Sequence, residues 1–180
     1  MAANIIHVLG ASGSGTTTLG QAIAKAWGYA HFDTDDYYWV PTDPMFQQNR
    51  PPAERLRLLQ RDISAHPRCV ISGAFVRWGD PLIPLLDLAV WLQTPTETRL
   101  ARLRRREAAR FGSRIEPGGD MYEEHREFMA WAALYDTADD GDTRSFAQHR
   151  RWTQQLPCPC LTADGTQPVE ELLKLIEPWL

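Results

Sequence analysis

A glycine-rich turn, GASGSGTT, lies between the apolar run NIIHVL and a segment with the apolar spacing of a helix. A strand, a tight turn and a helix N-terminus in this order form an anion site, because unpaired backbone N–H groups and the positive end of the helix dipole converge there. The turn fits the phosphate-binding pattern G-x-x-x-x-G-K-[ST] at Gly10, Gly15 and Thr17, but Thr16 stands where the pattern has lysine. The sequence therefore predicts a phosphate-binding loop without its usual positive charge.

We expect the backbone of this loop to hold the phosphates of a nucleotide. The hydroxyl of Thr17 occupies the position that ligates Mg²⁺ in this pattern. The nucleotide-binding candidates in the loop are Gly10, Gly13, Ser14, Gly15, Thr16, Thr17 and Thr18.

Two other interpretations of the turn stay open. A turn rich in Gly and Ser can serve only to connect a strand to a helix. A dinucleotide-binding fold is the second, since Asp33 lies about twenty residues further on, where an acid would bind a ribose. The spacing G-x-G-x-x-G fails, however, because Thr18 stands at its last glycine.

Short β-rich runs alternate with helical patterns, which is typical of a parallel sheet with crossover helices. The predicted strands are NIIHVL, YAHFD, RCVIS, DLAVWL and PCLTA, and the predicted helices span about 16–27, 52–65, 96–111, 121–135, 144–155 and 168–177. We expect one α/β domain over residues 1–180, with three layers and helices on both faces of a five-stranded parallel sheet. The Gly and Pro residues of RFGSRIEPGGD predict a mobile lid at about 105–120.

The charge and composition of the chain argue against several classes of binding partner. The formal net charge of −4 gives no general attraction to nucleic acid or to anionic membranes. The first ten residues lack the basic region of a targeting peptide, and LIPLLDLAVWL is too short to span a bilayer. The histidines and the three cysteines show no metal-ligand spacing. We expect a cytoplasmic protein with reduced thiols and no structural metal, which acts on a small molecule and binds neither nucleic acid nor membrane.

Arginine is the plentiful cation of this chain, because lysine occurs only at Lys25 and Lys174. Arg102, Arg106 and Arg110 recur at four-residue steps and therefore share one face of a predicted helix. Guanidinium groups bind phosphate oxygens bidentately and keep their charge at any working pH. We expect Arg102 and Arg106 to balance the charge of a transferred phosphoryl group and Arg110 to contact the nucleotide. The alternative is a solvated basic face that pairs with Glu107 and with the acidic turn at 136–143, which includes Asp139 and Asp140.

The order of GASGSGTT, HFDTDDYYW, CVISGAF and DLAVWLQTPTETRLARLRRRE resembles the small P-loop nucleoside and nucleotide kinases, including adenylate kinase and shikimate kinase. The resemblance spans nearly the whole chain and implies ATP and Mg²⁺ as cofactors. It also implies that Asp33 helps to hold Mg²⁺ through a bound water, and that Asp35 holds the acceptor hydroxyl and accepts its proton. The chain departs from these kinases at Thr16 and at Ser72, where they commonly carry lysine and aspartate.

The segment after the third predicted strand offers candidates for binding the acceptor. Gly73 would allow close approach of a substrate, and Arg77 would bind an anionic group on it, with a surface salt bridge as the alternative. The aromatic run Tyr37, Tyr38 and Trp39 would either wall a ring-bearing substrate or belong to the core.

We expect a Mg²⁺- and ATP-dependent kinase for a nucleoside, a nucleotide or a similar hydroxyl- or phosphate-bearing metabolite. Two alternatives remain. One is an ATP-binding sensor or adaptor that has lost catalysis together with the lysine, and the other is a dinucleotide-binding reductase. The sequence fixes neither the acceptor nor the oligomeric state.

Overall fold

The computed structural model describes residues 3–139, 141 and 144–180. Its strands are β1 (Ile5–Gly10), β2 (Ala30–Asp33), β3 (Cys69–Ser72), β4 (Leu88–Gln93) and β5 (Cys160–Asp164). They form one five-stranded sheet in the order β2-β3-β1-β4-β5, and every pair of neighbours is parallel. The predicted α/β class and five-stranded parallel sheet are confirmed.

The helices of the described chain are α1 (Thr16–Trp27), α2 (Thr34–Tyr38), α3 (Pro52–Ala65), α4 (Thr96–Phe111), α5 (Tyr122–Ala133), α6 (Phe146–Thr153) and α7 (Val169–Ile176). Short 3₁₀ segments occur at Asp80–Leu85, Gly112–Ile115, Leu134–Asp136 and Glu177–Trp179. All six predicted helices are present. The sequence missed α2, because five residues are too few to display a helical period. In the described residues, no helix is long and apolar enough to cross a membrane.

Two apolar layers sandwich the sheet, since successive residues of a strand point to opposite faces. On one face, Val8 and Val90 pack with Leu19 of α1 and Ile176 of α7. On the other face, Leu9, Ile71 and Trp91 belong to the cluster that contains Leu59 of α3 and Trp152 of α6. The helices therefore cover both faces, as the sequence predicts, and leave the strand ends available for a site.

The central strand β1 lies between β3 and β4. The strand order therefore reverses at β1: β2 and β3 lie on one side of it, and β4 and β5 lie on the other. In open parallel sheets, ligands bind beyond the carboxyl ends of the strands at such a point. Gly10, Asp33, Ser72 and Gln93 end four neighbouring strands at this edge. The topology thus brings the loop after β1 and the acids after β2 to the same place.

The segment predicted as a lid, at about 105–120, comprises the end of α4 and the 3₁₀ turn that follows it. Phe111, Ile115 and Met121 form a small cluster here, against which Phe46 packs. Arg114 forms ion pairs with Asp120 at 2.7 Å and with Asp43 at 2.8 Å. The segment therefore contacts the loop that follows β2 and α2. The predicted acidic turn lies partly outside the described residues, and Asp140 is among those left outside.

Candidate active site

The loop between β1 and α1 takes a shape that requires glycine. Gly13 has a φ of 81° and Gly15 has a φ of 104°, in the left-handed region where a side chain is strained. A Cβ atom at Gly13 would also come within 2.7 Å of the carbonyl oxygen of Arg99. The loop therefore depends on these glycines both for its backbone angles and for its close packing against α4.

The geometry of the loop fits an anion. The first hydrogen bond of α1 runs from the N–H of Leu19 to the carbonyl of Gly15 at 3.0 Å, and the N–H groups before Leu19 have no helical carbonyl to receive them. The hydroxyl of Ser14 is buried without a hydrogen-bond partner among the described residues. Unpaired donors therefore gather where the sequence predicts phosphate binding.

Thr17 and Asp33 come together beside this loop. The Thr17 hydroxyl donates to Oδ2 of Asp33 at 2.7 Å, and Ser72 donates to the same oxygen at 3.4 Å. The other oxygen of Asp33, Oδ1, accepts the N–H of Asp35 at 3.0 Å, so Asp33 also caps α2. Hydroxyl and carboxylate oxygens are the ligands that Mg²⁺ prefers, and Mg²⁺ is commonly held by one or two such groups together with phosphate oxygens and water. The pair therefore fits the predicted Mg²⁺ site.

Asp35 lies next to this pair, in the first turn of α2. Its side chain is exposed to solvent on one side, but neighbouring protein atoms displace part of the water around the carboxylate. Desolvation raises the pKa of Asp35 above its ordinary value, and the negative charges of Asp33 and Asp36 raise the pKa further. The positive charges of Arg144 and Arg106 oppose this shift. A carboxylate with a raised pKa is a better proton acceptor than an ordinary aspartate.

Two cavities flank the loop. The aromatic cavity has a volume of about 830 Å³, and the phenylalanine, tyrosine and tryptophan rings on its wall belong to Tyr38, Trp39, Phe46, Trp78, Phe111, Phe128 and Trp131. The loop cavity has a volume of about 1000 Å³ and is bordered by Ser14, Gly15, Thr18, Arg102, Arg110 and Gly165. Both cavities are bordered by Gly13, Thr16, Thr17, Asp33, Asp35 and Arg106. Two ligands, one in each cavity, would meet at these shared residues.

The three arginines predicted from α4 have different surroundings. Arg102 donates to the carbonyls of Ser14 at 3.2 Å and Gly165 at 3.0 Å. Arg106 borders both cavities and pairs with Glu107 at 2.8 Å, the pairing that the alternative interpretation proposes. The Arg110 guanidinium lies 5.6 Å from the ring centre of Phe46. The row therefore extends along the loop cavity, and only Arg106 borders the aromatic cavity as well.

The acceptor candidates lie at the aromatic cavity. Gly73, with a φ of 100°, and Arg77 both border it. The Arg77 guanidinium donates to the carbonyl of Gly141 at 3.0 Å. Of the aromatic run, Tyr38 and Trp39 border the cavity, whereas Tyr37 is buried in the core.

Sequence reasoning missed two arginines at the aromatic cavity. The Arg144 guanidinium donates to the hydroxyl of Ser12, in the phosphate-binding loop, at 3.1 Å. Arg55 of α3 lies 3.7 Å from the ring centre of Tyr38. Neither belongs to a periodic pattern of arginines, and the only local signal for Arg144 is its place just before Ser145, the N-cap of α6.

Comparison with known proteins identifies relatives of this chain. A family model described as an AAA domain matches residues 6–128. The uncharacterized protein YqaC of Bacillus subtilis is 41% identical over 175 residues, which cover 97% of this chain and 96% of that protein. A cytidylate kinase of Thermococcus sibiricus is 30% identical over 114 residues, 57% of each chain. The solved structure of a shikimate kinase from Bacteroides thetaiotaomicron has the same fold, with a TM-score of 0.56 and 20% identity over 98% of this chain and 99% of that one.

Proposed function

This chain belongs to the AAA domain family and is related to small-molecule kinases, and on that premise we propose that it is a Mg²⁺- and ATP-dependent kinase. The observation that carries the proposal is the meeting of two cavities at Thr17, Asp33 and Asp35. Phosphoryl transfer needs a donor and an acceptor in line, with cations at the transferred group and a carboxylate at the attacking hydroxyl. The loop cavity would hold ATP and the aromatic cavity would hold the acceptor.

On the donor side, the free N–H groups at the start of α1 and the hydroxyl of Ser14 bind the phosphates. Thr17 and Asp33 would hold Mg²⁺, which would supply positive charge against the negative charge of the phosphates. Arg102 and Arg110 border the rest of the loop cavity and add positive charge there. The shape that Gly13 and Gly15 allow keeps the backbone close to the phosphates.

On the acceptor side, Asp35 orients the attacking hydroxyl and takes its proton. The acceptor oxygen forms a bond to the γ-phosphorus as the bond from that phosphorus to the bridging oxygen of ADP breaks, and the proton goes to the Asp35 carboxylate. Arg106 borders both cavities and balances the negative charge of the phosphoryl group in transit.

We infer that the acceptor carries a flat ring, as a nucleoside or nucleotide does. The wall of the aromatic cavity offers aromatic faces on which such a ring can stack. Arg55 and Arg77 border the same cavity and can bind an anionic group on the acceptor, while Gly73 leaves room for close approach. A volume of about 830 Å³ is within the usual range for a small-molecule site.

The test is an acceptor screen with purified protein, ATP and Mg²⁺. Nucleosides and nucleoside monophosphates form one set of acceptors. Sugars and polyols, which have no flat aromatic ring, form the other. ADP release and the mass of the phosphorylated product are measured. We expect transfer to a member of the first set, loss of transfer in Asp35→Asn, and retention of transfer in the control Asp36→Asn, whose side chain borders only the loop cavity.

A second candidate function follows from Thr16. Without the lysine of the motif, the protein could bind ATP as a sensor or adaptor and transfer nothing. Tight ATP binding with no ADP released for any acceptor would favour this function over the kinase. If NAD(P) displaced ATP from the loop cavity, both proposals would give way to a dinucleotide-binding reductase.

A further inference from the structure

We propose that Arg144 supplies the positive charge that Thr16 does not, and that its guanidinium faces the γ-phosphate of ATP. This inference rests on the proposed function, because it assumes that the loop binds ATP. It assigns the missing cation to a residue outside the α4 row, 132 positions from the hydroxyl that it contacts.

The position of Ser12 shows which end of the loop Arg144 reaches. Ser12 borders the aromatic cavity and not the loop cavity, whereas Ser14, Gly15 and Thr18 border only the loop cavity. The phosphate chain of ATP must therefore run with its γ end toward Ser12 if it is to reach an acceptor in the aromatic cavity. Arg144 donates to Ser12 Oγ at 3.1 Å and borders the same cavity, which places it at that end.

Three other arginines near this point already have partners among the described residues. Arg102 donates to two carbonyls at the loop cavity, Arg77 donates to the carbonyl of Gly141, and Arg106 pairs with Glu107. Arg144 forms no ion pair with a carboxylate of a described residue, and its charge acts on Asp35. Neither Lys25 nor Lys174 borders either cavity. A negative group entering between Ser12 and Asp35 would therefore find Arg144 available.

The backbone and the side chain of Arg144 are both held in place. Its φ of 92° is a left-handed conformation that costs energy for a residue with a side chain. The Arg144 N–H donates to Gln148 Oε1 at 2.9 Å. The Arg144 guanidinium also lies 5.4 Å from the ring centre of Trp131. A cation fixed in this way before the ligand arrives loses little entropy when it binds phosphate.

The experiment compares ATP with ADP, because only ATP carries the group that Arg144 is proposed to face. Affinities are measured by calorimetry with Mg²⁺ for the wild type, Arg144→Ala, Arg144→Gln and the control Arg150→Ala, which changes an exposed arginine of α6. In Arg144→Ala, ATP affinity should fall by about 10- to 100-fold, the range for a hydrogen bond to a charged group. In the same variant, ADP affinity should change by no more than about 2-fold. In Arg150→Ala, the affinities for ATP and for ADP should each change by no more than about 2-fold.

Arg144→Gln guards against a merely structural effect. Glutamine keeps much of the length and polarity of the side chain but has no charge, so it should behave like alanine toward ATP while its thermal unfolding stays near that of the wild type. Equal losses for ATP and ADP, or no loss for ATP in either variant, would overturn the inference and leave the proposed kinase standing. A wild-type protein that binds neither nucleotide would overturn the proposed function and the inference together.

Restoring the motif lysine tests whether the two positions share a phosphate. Thr16→Lys should change ATP affinity little in the wild-type background, because the phosphate charge is already balanced there. In the Arg144→Ala background it should recover most of the lost ATP affinity, which is a non-additive result. Additive effects would show that residues 16 and 144 do not act on the same phosphate and would overturn the inference.

Discussion

The hydroxyl of Thr17 donates a 2.7 Å hydrogen bond to the carboxylate of Asp33. Thr17 lies in the first turn of α1 and Asp33 ends β2, so the bond joins the phosphate-binding loop to the cluster of acids beside it. In the proposed kinase, both oxygens would turn toward Mg²⁺. This relationship makes Thr17 the residue whose removal separates an effect on the metal from an effect on the phosphates.

Thr17→Ala should weaken the binding of Mg²⁺-ATP far more than the binding of metal-free ATP, because the hydroxyl is proposed to act on the metal. Calorimetry with and without Mg²⁺ measures both affinities. Thr18→Ala, which removes the exposed hydroxyl of the next residue, is the matched control and should leave the Mg²⁺ dependence unchanged. Equal losses with and without Mg²⁺ in Thr17→Ala would exclude the metal role.

Asp35→Asn should remove most turnover and leave ATP affinity nearly intact, since the carboxylate is proposed to act on the acceptor. In the wild type, the carboxylate must be deprotonated to accept the proton, so turnover should fall as pH falls through the Asp35 pKa. Because desolvation raises that pKa, the decline should begin at a higher pH than an ordinary aspartate would give. A collapse of ATP affinity in Asp35→Asn would instead place Asp35 in the metal site.

The same substitution should raise stability near neutral pH. The folded-state pKa of Asp35 lies above its unfolded value, so the folded protein holds this proton more tightly and loses stability as pH rises through the two values. Asparagine removes the desolvated charge. The melting temperature of Asp35→Asn should therefore exceed that of the wild type at pH 7, and the difference should shrink as the pH is lowered. An unchanged or lower melting temperature at pH 7 would contradict this account.

Arg106→Ala should reduce ATP affinity by about 1.5–3 kcal/mol, the range for losing a hydrogen bond to a charged group. Arg104→Ala is the control, because residue 104 is exposed on another face of the same helix and borders neither cavity. Arg106 is also the ion-pair partner of Glu107, whose side chain is 7% exposed. Thermal unfolding of both variants separates lost folding from lost binding. Near-neutral ATP affinity in a folded Arg106→Ala would show that the pairing with Glu107 is its main role.

Acid should destabilise the protein through two buried histidines. Burial lowers the pKa of His7 to about 4 and that of His149 to about 3, below the ordinary value of 6.5. Below pH 6.5 the unfolded chain binds these protons while the folded protein does not, so stability is lost as pH falls. The loss approaches about 1.4 kcal/mol per pH unit for each histidine. His7→Gln should flatten this slope in denaturant unfolding between pH 6.5 and 4, whereas His66→Gln, at an exposed histidine, should not.

The sequence by itself determined the local structure and the loop. Alternation along the strands and the apolar spacing of the helices are local patterns, and they predicted the sheet and six of the helices to within two residues of their ends. Gly13 and Gly15 made the phosphate-binding loop predictable, because left-handed backbone angles favour glycine. The acids at the end of β2 followed from topology, since parallel strands deliver their carboxyl ends to one edge.

Only the tertiary structure decided which charges meet. Arg102, Arg106 and Arg110 share a helix face, yet they contact different partners, because successive turns of α4 lie beside different parts of the fold. Arg144 reaches Ser12 from a left-handed backbone conformation that the sequence does not signal, because arginine rarely adopts it. The periodic pattern of a sequence predicts which face of a helix or strand a residue lies on. The partner of a long, flexible side chain depends instead on how elements distant in sequence pack together.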